Sequence, residues 1–257
     1  MKVQSIIGLG TIAISLFFFS ACSTDNYDGP ETMFTGRLLV GNEPLHIYEN
    51  PTQEESMFQL YQDGYDKHTA IYVHVNQNGE FSARLFNGEY KMIPVSQKYL
   101  WEWTGWENKK EDGSPDTIRF TLKGNKQMDI QVTPFFKFKN VSARIDGENV
   151  TADFQVEQLN SDYEVSTVYL MANVNRYFGK LSDLRKSTTK VSLDETMNLS
   201  IPLSSYYSDS YFKNNYRKYI FVRLAMLLKK QSGYYLYSDV YRVDIPDEVY
   251  QKFRPGE

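Results

Sequence analysis

Cysteine is almost missing from this chain: Cys22 is the single one among 257 residues. No disulfide can form within the chain, so its folded part must be held by a packed core. Histidine is scarce too, with only His46, His68 and His74. Their spacing suits neither a helical pair nor a zinc ribbon, and no thiolates accompany them, so no metal site is expected. A positive excess is also lacking. Lys and Arg number 28 against 32 Asp and Glu, a formal net charge of -4. No basic stretch of the kind that tracks phosphates stands out, which argues against nucleic acid as a partner. The chain has no Gly-x-Ser-x-Gly elbow, no phosphate loop and no dinucleotide fingerprint, so no cofactor is expected. Asp112 and Asp116 bracket a turn without the calcium-loop pattern. A glycosidase needs only two well-placed carboxylates, which spacing along a chain does not reveal. With no catalytic residue to name, the expectation is a binding protein rather than an enzyme.

Long apolar runs are also few. The one at the start, Ile6 to Phe19, follows Lys2 and leads into Phe19-Ser20-Ala21-Cys22. A short basic start, a short apolar run and small residues before a cut make a secretory signal. The run falls short of the roughly 20 residues that a comfortable transmembrane helix needs. Small residues immediately before a cysteine resemble the bacterial lipobox, in which the cysteine becomes the lipidated first residue. The plainer alternative is an ordinary signal peptide with an incidental cysteine. Residues 1–21 thus read as the signal and Cys22 as the lipidation site. Residues 22–33, polar and holding Asp25, Asn26, Asp28 and Glu31, read as a tether. Removal of the signal alone leaves about 235 residues, enough for one large or two ordinary domains.

What is plentiful is short alternation. Ile71, Val73 and Val75 alternate with Tyr72 and His74, and Phe81, Ala83 and Leu85 with Ser82 and Arg84. Ile118, Phe120 and Leu122 repeat that period of two, the mark of a half-buried strand. Asn78-Gly79, Asn87-Gly88 and Asp146-Gly147 are turn signals. Further strands are expected over Thr151–Glu157, Ser166–Val174, Met197–Leu203, Lys218–Leu228 and Tyr234–Ile245. In the last, Tyr235, Tyr237, Tyr241, Val243 and Ile245 would share a face. Ser182–Lys186 is read as a helical turn at most. The pattern predicts an all-β chain of two consecutive β-sandwich domains, 34–134 and 135–257, divided near Thr133-Pro134.

Several of these segments resemble a known family. Asp25-Asn26-Tyr27-Asp28-Gly29-Pro30 with Phe34-Thr35-Gly36-Arg37-Leu38, and Asn78-Gly79-Glu80-Phe81 with Leu85-Phe86-Asn87-Gly88-Glu89-Tyr90-Lys91-Met92-Ile93-Pro94, carry the likeness. So does Asp129-Ile130-Gln131-Val132-Thr133-Pro134-Phe135. They resemble the Bacteroidetes lipoprotein family called domain of unknown function thirty-eight twenty-three. Its members are typically encoded beside SusC-like transporters and SusD-like glycan-binding lipoproteins. The resemblance implies a transthyretin or carboxypeptidase-regulatory-like first domain and an immunoglobulin or fibronectin-III-like second one. It also implies a lipid-anchored place at the outer membrane, glycans or SusC/SusD-like proteins as partners, and no catalytic residues. Acidic Asp25 and Asp28 after Cys22 loosely resemble surface-export signals, so display toward the cell exterior is expected.

Two aromatic clusters are candidate contact sites. Trp101, Trp103 and Trp106 are all the tryptophans of the chain, and a polar stretch, Glu107 to Pro115, follows them. Indole stacks on the C–H faces of sugar rings while nearby carboxylates and amides bond the hydroxyls, which makes this a candidate glycan site. The alternative is core packing by at least two of the rings. Tyr206, Tyr207, Tyr211, Phe212 and Tyr216 are interleaved with Ser and Asn. That mixture suits a partner surface, since Tyr offers area at low entropic cost. The alternative is a Tyr-rich connection folded on its own sheet.

Overall fold

The computed structural model describes residues 28–48, 56–64, 69–95, 100–179, 184–230 and 234–256. The signal segment, Cys22, the tether up to Tyr27, and His68 lie outside those residues. Two β-sandwiches follow one another. The first contains β1 (Thr32–Val40), β2 (Glu43–Pro44), β3 (Phe58–Gln62), β4 (Ile71–Val73), β5 (Glu80–Leu85) and β6 (Gly88–Pro94). It continues with β7 (Trp101–Glu102), β8 (Ile118–Leu122), β9 (Lys126–Gln127), β10 (Ile130–Gln131) and β11 (Thr133–Pro134). The second holds β12 (Phe136–Asp146), β13 (Asn149–Gln158), β14 (Val165–Asn173) and β15 (Leu184–Thr188). Then come β16 (Met197–Pro202), β17 (Tyr219–Leu228), β18 (Tyr235–Tyr237) and β19 (Tyr241–Asp244), with short helices at Leu203–Ser208 and Asp247–Phe253.

Strand β1 organises the first sandwich. Phe34, Gly36 and Leu38 are buried at alternate positions, as a half-buried strand requires. Residues Thr32 to Arg37 pair antiparallel with β5, while β9 and β10 pair parallel with β1 and β2 closes its far end. The facing sheet has the order β4-β3-β6-β8. Between the sheets Phe34 stacks on Phe120 at 4.9 Å and Phe58 meets Phe81 edge-on at 5.3 Å. The turn at Asn78-Gly79 forms as expected, and its glycine is required twice over. Gly79 has φ +75°, and a Cβ there would lie 2.8 Å from the Leu45 carbonyl oxygen.

In the second sandwich β12-β13-β16 faces a sheet built on β15-β14-β17, with β18 and β19 both paired to β17. Two expectations need correction, and one strand was not expected. Of the segment read as a helical turn, Leu184 to Lys186 lie in β15, which pairs antiparallel with β14, and Ser182 and Asp183 lie outside the described residues. The expected strand Tyr234–Ile245 is two strands, broken at Ser238-Asp239-Val240. There the Ser238 hydroxyl accepts the Leu224 N–H at 2.8 Å and donates to the Asp239 carbonyl at 2.7 Å, which diverts the backbone from the ladder. Strand β3 is missed altogether by the alternation reading.

The two sandwiches are joined without a free linker. Phe135 N–H donates to the Leu100 carbonyl at 2.9 Å, and the Phe135 carbonyl accepts Leu159 N–H at 2.8 Å. The Phe135 ring stacks on Tyr163 at 3.8 Å. A second junction sets Tyr48 and Gln77 of the first sandwich against the 174–179 loop of the second. Gln77 Nε2 donates to the Arg176 carbonyl at 3.1 Å, and the Tyr48 ring lies directly on Gly179, where any Cβ would overlap it.

This contact yields two predictions. Gly179→Ala overpacks the junction and should lower stability by about 1–3 kcal/mol. Adding Tyr48→Ala should recover part of the loss, as a double-mutant cycle on urea unfolding would show. His46, partly buried at the same junction, is the second. Burial is the largest cause holding its pKa below the ordinary 6.5, Asp239 opposes, and Arg223 adds to the lowering. The folded state therefore favours neutral imidazole, and the unfolded chain takes up the proton first. Stability from this group is full above about pH 6.5 and falls as pH drops toward the folded value. Melting temperature measured between pH 8 and pH 5 should fall less in His46→Gln than in the wild type.

Candidate functional site

An open groove of about 740 Å³ runs along the outer face of the β1–β5 sheet and ends against the second sandwich. Its floor follows from strand register. On β1, Thr35 and Arg37 point away from the core between buried Phe34, Gly36 and Leu38. Their antiparallel partners on β5 are Ser82 and Glu80, and Thr35 also faces Gln127 on β9. Directly opposed residues share a face, so five polar side chains form one strip. Tyr48, His74 and Gln77 form one side, and Tyr177 reaches over from the second sandwich. Tyr177 is 72% exposed, so most of its ring is open to a ligand.

The floor is internally bonded. Arg37 donates from Nη2 to Asp129 Oδ2 at 2.6 Å and from Nε to Oδ1 at 3.4 Å. Gln127 Nε2 reaches both Asp129 oxygens at 3.2 Å. The Arg37 hydrogen bond is the chief cause holding the Asp129 carboxyl below its ordinary range. Asn76 Nδ2 donates to Glu80 Oε2 at 3.0 Å.

The Tyr177 side is held from below. Arg223 on β17 is 1% exposed. Its Nη1 donates to the Phe178 carbonyl at 2.9 Å and its Nη2 to the Ser238 carbonyl at 3.0 Å. The guanidinium sits 4.2 Å from the Tyr237 ring centroid, a cation–π distance. Tyr237 in turn donates its hydroxyl to the Gly179 carbonyl at 2.7 Å. Two consecutive carbonyls after Tyr177 are thus pinned. Burial pushes the Arg223 guanidinium down to about 10, so it remains a cation at neutral pH.

The tryptophan expectation is corrected. Trp101, Trp103 and Trp106 are 8%, 4% and 2% exposed. Trp101 and Trp103 do share a face, but it is the inner one, with Glu102 outside. Trp106 stacks on Phe58 at 5.9 Å and donates Nε1–H to the Asp116 carbonyl at 2.6 Å. The rings fill the first core and present no free face for a sugar. In the tyrosine cluster, Tyr206, Tyr207 and Phe212 are buried. Tyr206 stacks on Phe212 at 5.0 Å and Tyr207 on Phe253 at 5.0 Å. Burial raises both phenols to about 12. Those three side chains are core, a correction to the expected surface, while Tyr211 and Tyr216 are 66% and 58% exposed. The groove residues were missed. Arg37 and Glu80 appear in the quoted motifs, but only strand pairing shows that they are neighbours. Tyr177, set between polar Asn175-Arg176 and Phe178-Gly179, carried the one local signal.

Known proteins share this architecture. The family model described as "Protein of unknown function (DUF3823) N-terminal domain" matches residues 32–133, and "Domain of unknown function (DUF3823_C)" matches 136–242. A solved DUF3823 family protein from Parabacteroides merdae is 26% identical, with a TM-score of 0.66 over 84% of this chain and 100% of its own. One from Bacteroides ovatus is also 26% identical, with a TM-score of 0.63 over 84% and 100%. A "putative carbohydrate binding protein" from Bacteroides uniformis is 16% identical, with a TM-score of 0.64 over 84% and 100%, a likeness of fold. No curated protein matches the chain.

The burial of the tryptophans has a measurable consequence. Trp106→Ala should cost about 3–5 kcal/mol of stability through cavity formation. A lower urea midpoint at unchanged slope would show it; an unchanged midpoint would place the ring outside the core.

Proposed function

The chain belongs to the DUF3823 family, and on that premise we propose that it is a non-catalytic glycan-binding lipoprotein accessory to polysaccharide uptake at the outer membrane. The observation that carries this reading is the groove. A polar strip of Thr35, Arg37, Glu80, Ser82 and Gln127 lies beneath an exposed tyrosine. Sugars present hydroxyls at their edges and C–H groups on their faces. The strip bonds the first kind of group, and the ring of Tyr177 covers the second. A volume of about 740 Å³ takes a short oligosaccharide. The Bacteroides uniformis protein, whose name speaks of carbohydrate binding, shares the fold.

One carboxylate beside the groove supports binding rather than cleavage. A glycosidase needs an acid whose pKa is raised so that it can protonate the leaving oxygen. Asp129 is held the other way, ionised by Arg37. Lipidation of Cys22 ties the protein to the membrane, and more than one acyl chain makes such anchoring stable. A second reading, a subunit that docks on SusC/SusD-like proteins without touching glycan, is favoured by exposed Tyr211 and Tyr216.

Calorimetry with a polysaccharide panel separates the two. Glycan binding that weakens roughly 2- to 12-fold in Tyr177→Ala, the equivalent of about 0.5–1.5 kcal/mol of ring contact, is expected. Binding unchanged in Tyr177→Ala would remove the groove. No glycan bound, with co-purification lost in Tyr211→Ser plus Tyr216→Ser, would favour docking. Fatty-acid labelling should appear on the full chain and vanish in Cys22→Ser.

A further inference from the structure

We propose that Arg37 and Glu80 together read two adjacent sugar hydroxyls, so that the groove selects glycans with a free vicinal diol; the inference rests on the glycan-binding reading. The two residues are direct partners across β1 and β5, and both line the groove. Opposite charges so placed are close enough to pair with each other. Here they do not. Arg37 turns to Asp129, which lies outside the lining, through Nη2 at 2.6 Å and Nε at 3.4 Å. Glu80 gives Oε2 to Asn76 at 3.0 Å. The Asp129 hydrogen bond and charge hold the Arg37 guanidinium above its ordinary value, and Glu80 adds to this through space, without a bond.

One donor and one acceptor are thus left side by side. Among the described residues no hydrogen bond reaches Nη1 of Arg37 or Oε1 of Glu80. The Arg37 side chain is 47% exposed, which leaves it open to a ligand. A guanidinium only donates and a carboxylate only accepts. Neighbouring hydroxyls on a sugar ring satisfy both: one accepts from Nη1 and the other donates to Oε1. A lone hydroxyl uses one of the two, and a uronate carboxylate has no proton for Glu80. Asp129 and Asn76 already hold the two side chains, so little freedom is lost when the diol binds. A site built for two hydroxyls disfavours a ligand that offers one, because the other group stays unpaired.

The test measures, by calorimetry, affinities for 1,4-linked glucan, xylan, mannan and galactan and for 1,3-linked glucan. Each 1,4-linked chain keeps hydroxyls 2 and 3 free, whereas the inner residues of the 1,3-linked chain have no adjacent pair. The wild type should favour its best 1,4-linked polymer over 1,3-linked glucan by roughly 2- to 12-fold, the worth of one hydrogen bond. Arg37→Met and Glu80→Leu should each bring that ratio to near one. Arg37→Lys keeps the charge but loses the fork, should do the same, and serves if Arg37→Met melts early. Equal or tighter wild-type binding of 1,3-linked glucan, with both linkages weakened by Tyr177→Ala, would overturn the diol reading and leave glycan binding standing. A ratio unmoved by the Arg37 and Glu80 variants would also overturn it. Absence of binding to every polymer would take away the glycan reading and this inference together.

Discussion

The site depends on one buried guanidinium. Arg223 lies almost fully out of water, a position that costs a cation heavily unless its donors are used. Its two terminal nitrogens bond the Phe178 and Ser238 carbonyls, and the Tyr237 ring covers its face. Burial lowers the guanidinium only to about 10, with Tyr237 and Asp239 opposing, so it stays charged at neutral pH. The same contacts tie together two places, the break between β18 and β19 at Ser238 and the segment that carries Tyr177. A loop that would otherwise be free is fixed against the neighbouring sandwich, where Tyr48 meets Gly179 and Gln77 meets Arg176.

Strand β1 supplies the other half. Because it pairs with β5 and β9, its outward residues acquire polar neighbours from two other stretches of sequence. Thr35 and Arg37 are two residues apart, while their partners Ser82 and Glu80 lie 47 and 43 residues away and Gln127 lies 92 residues from Thr35. The groove is a product of pairing. One sandwich provides its hydrogen-bonding floor and the other its aromatic cover, so neither domain alone holds the complete site.

That origin explains what could be read from the chain. The turn at Asn78-Gly79 was legible because a positive φ and a close backbone approach both demand glycine there. The alternating segments Phe81–Leu85 and Ile118–Leu122 were legible because one face is core and the other is wet. The tryptophans were not. Indoles beside polar residues have the same composition in a sugar platform and in a core edge. What buries Trp101, Trp103 and Trp106 is pairing of β7 with β11 and packing on Phe58, from a strand that the alternation did not reveal. The tyrosine cluster divides for a similar reason. The Leu203–Ser208 helix turns Tyr206 and Tyr207 inward, while Tyr211 and Tyr216 fall on the turn beyond it. Strand β15 follows residues outside the described set and carries Arg185, Lys186 and Ser187, which disguise an edge strand as a polar turn. Arg223 left no mark in the sequence at all, since a single arginine inside an apolar strand is visible only once its partners are placed.

The central claim is that one groove, made by both sandwiches, receives the glycan. Backbone hydrogen exchange with and without a saturating neutral oligosaccharide tests it most directly, since added protection marks the contacted segments. The account expects added protection at Thr35–Arg37, at Asn76–Ser82 and at Arg176–Gly179, in both domains at once. Protection confined to the Ser204–Arg217 region, or to one sandwich alone, would contradict it.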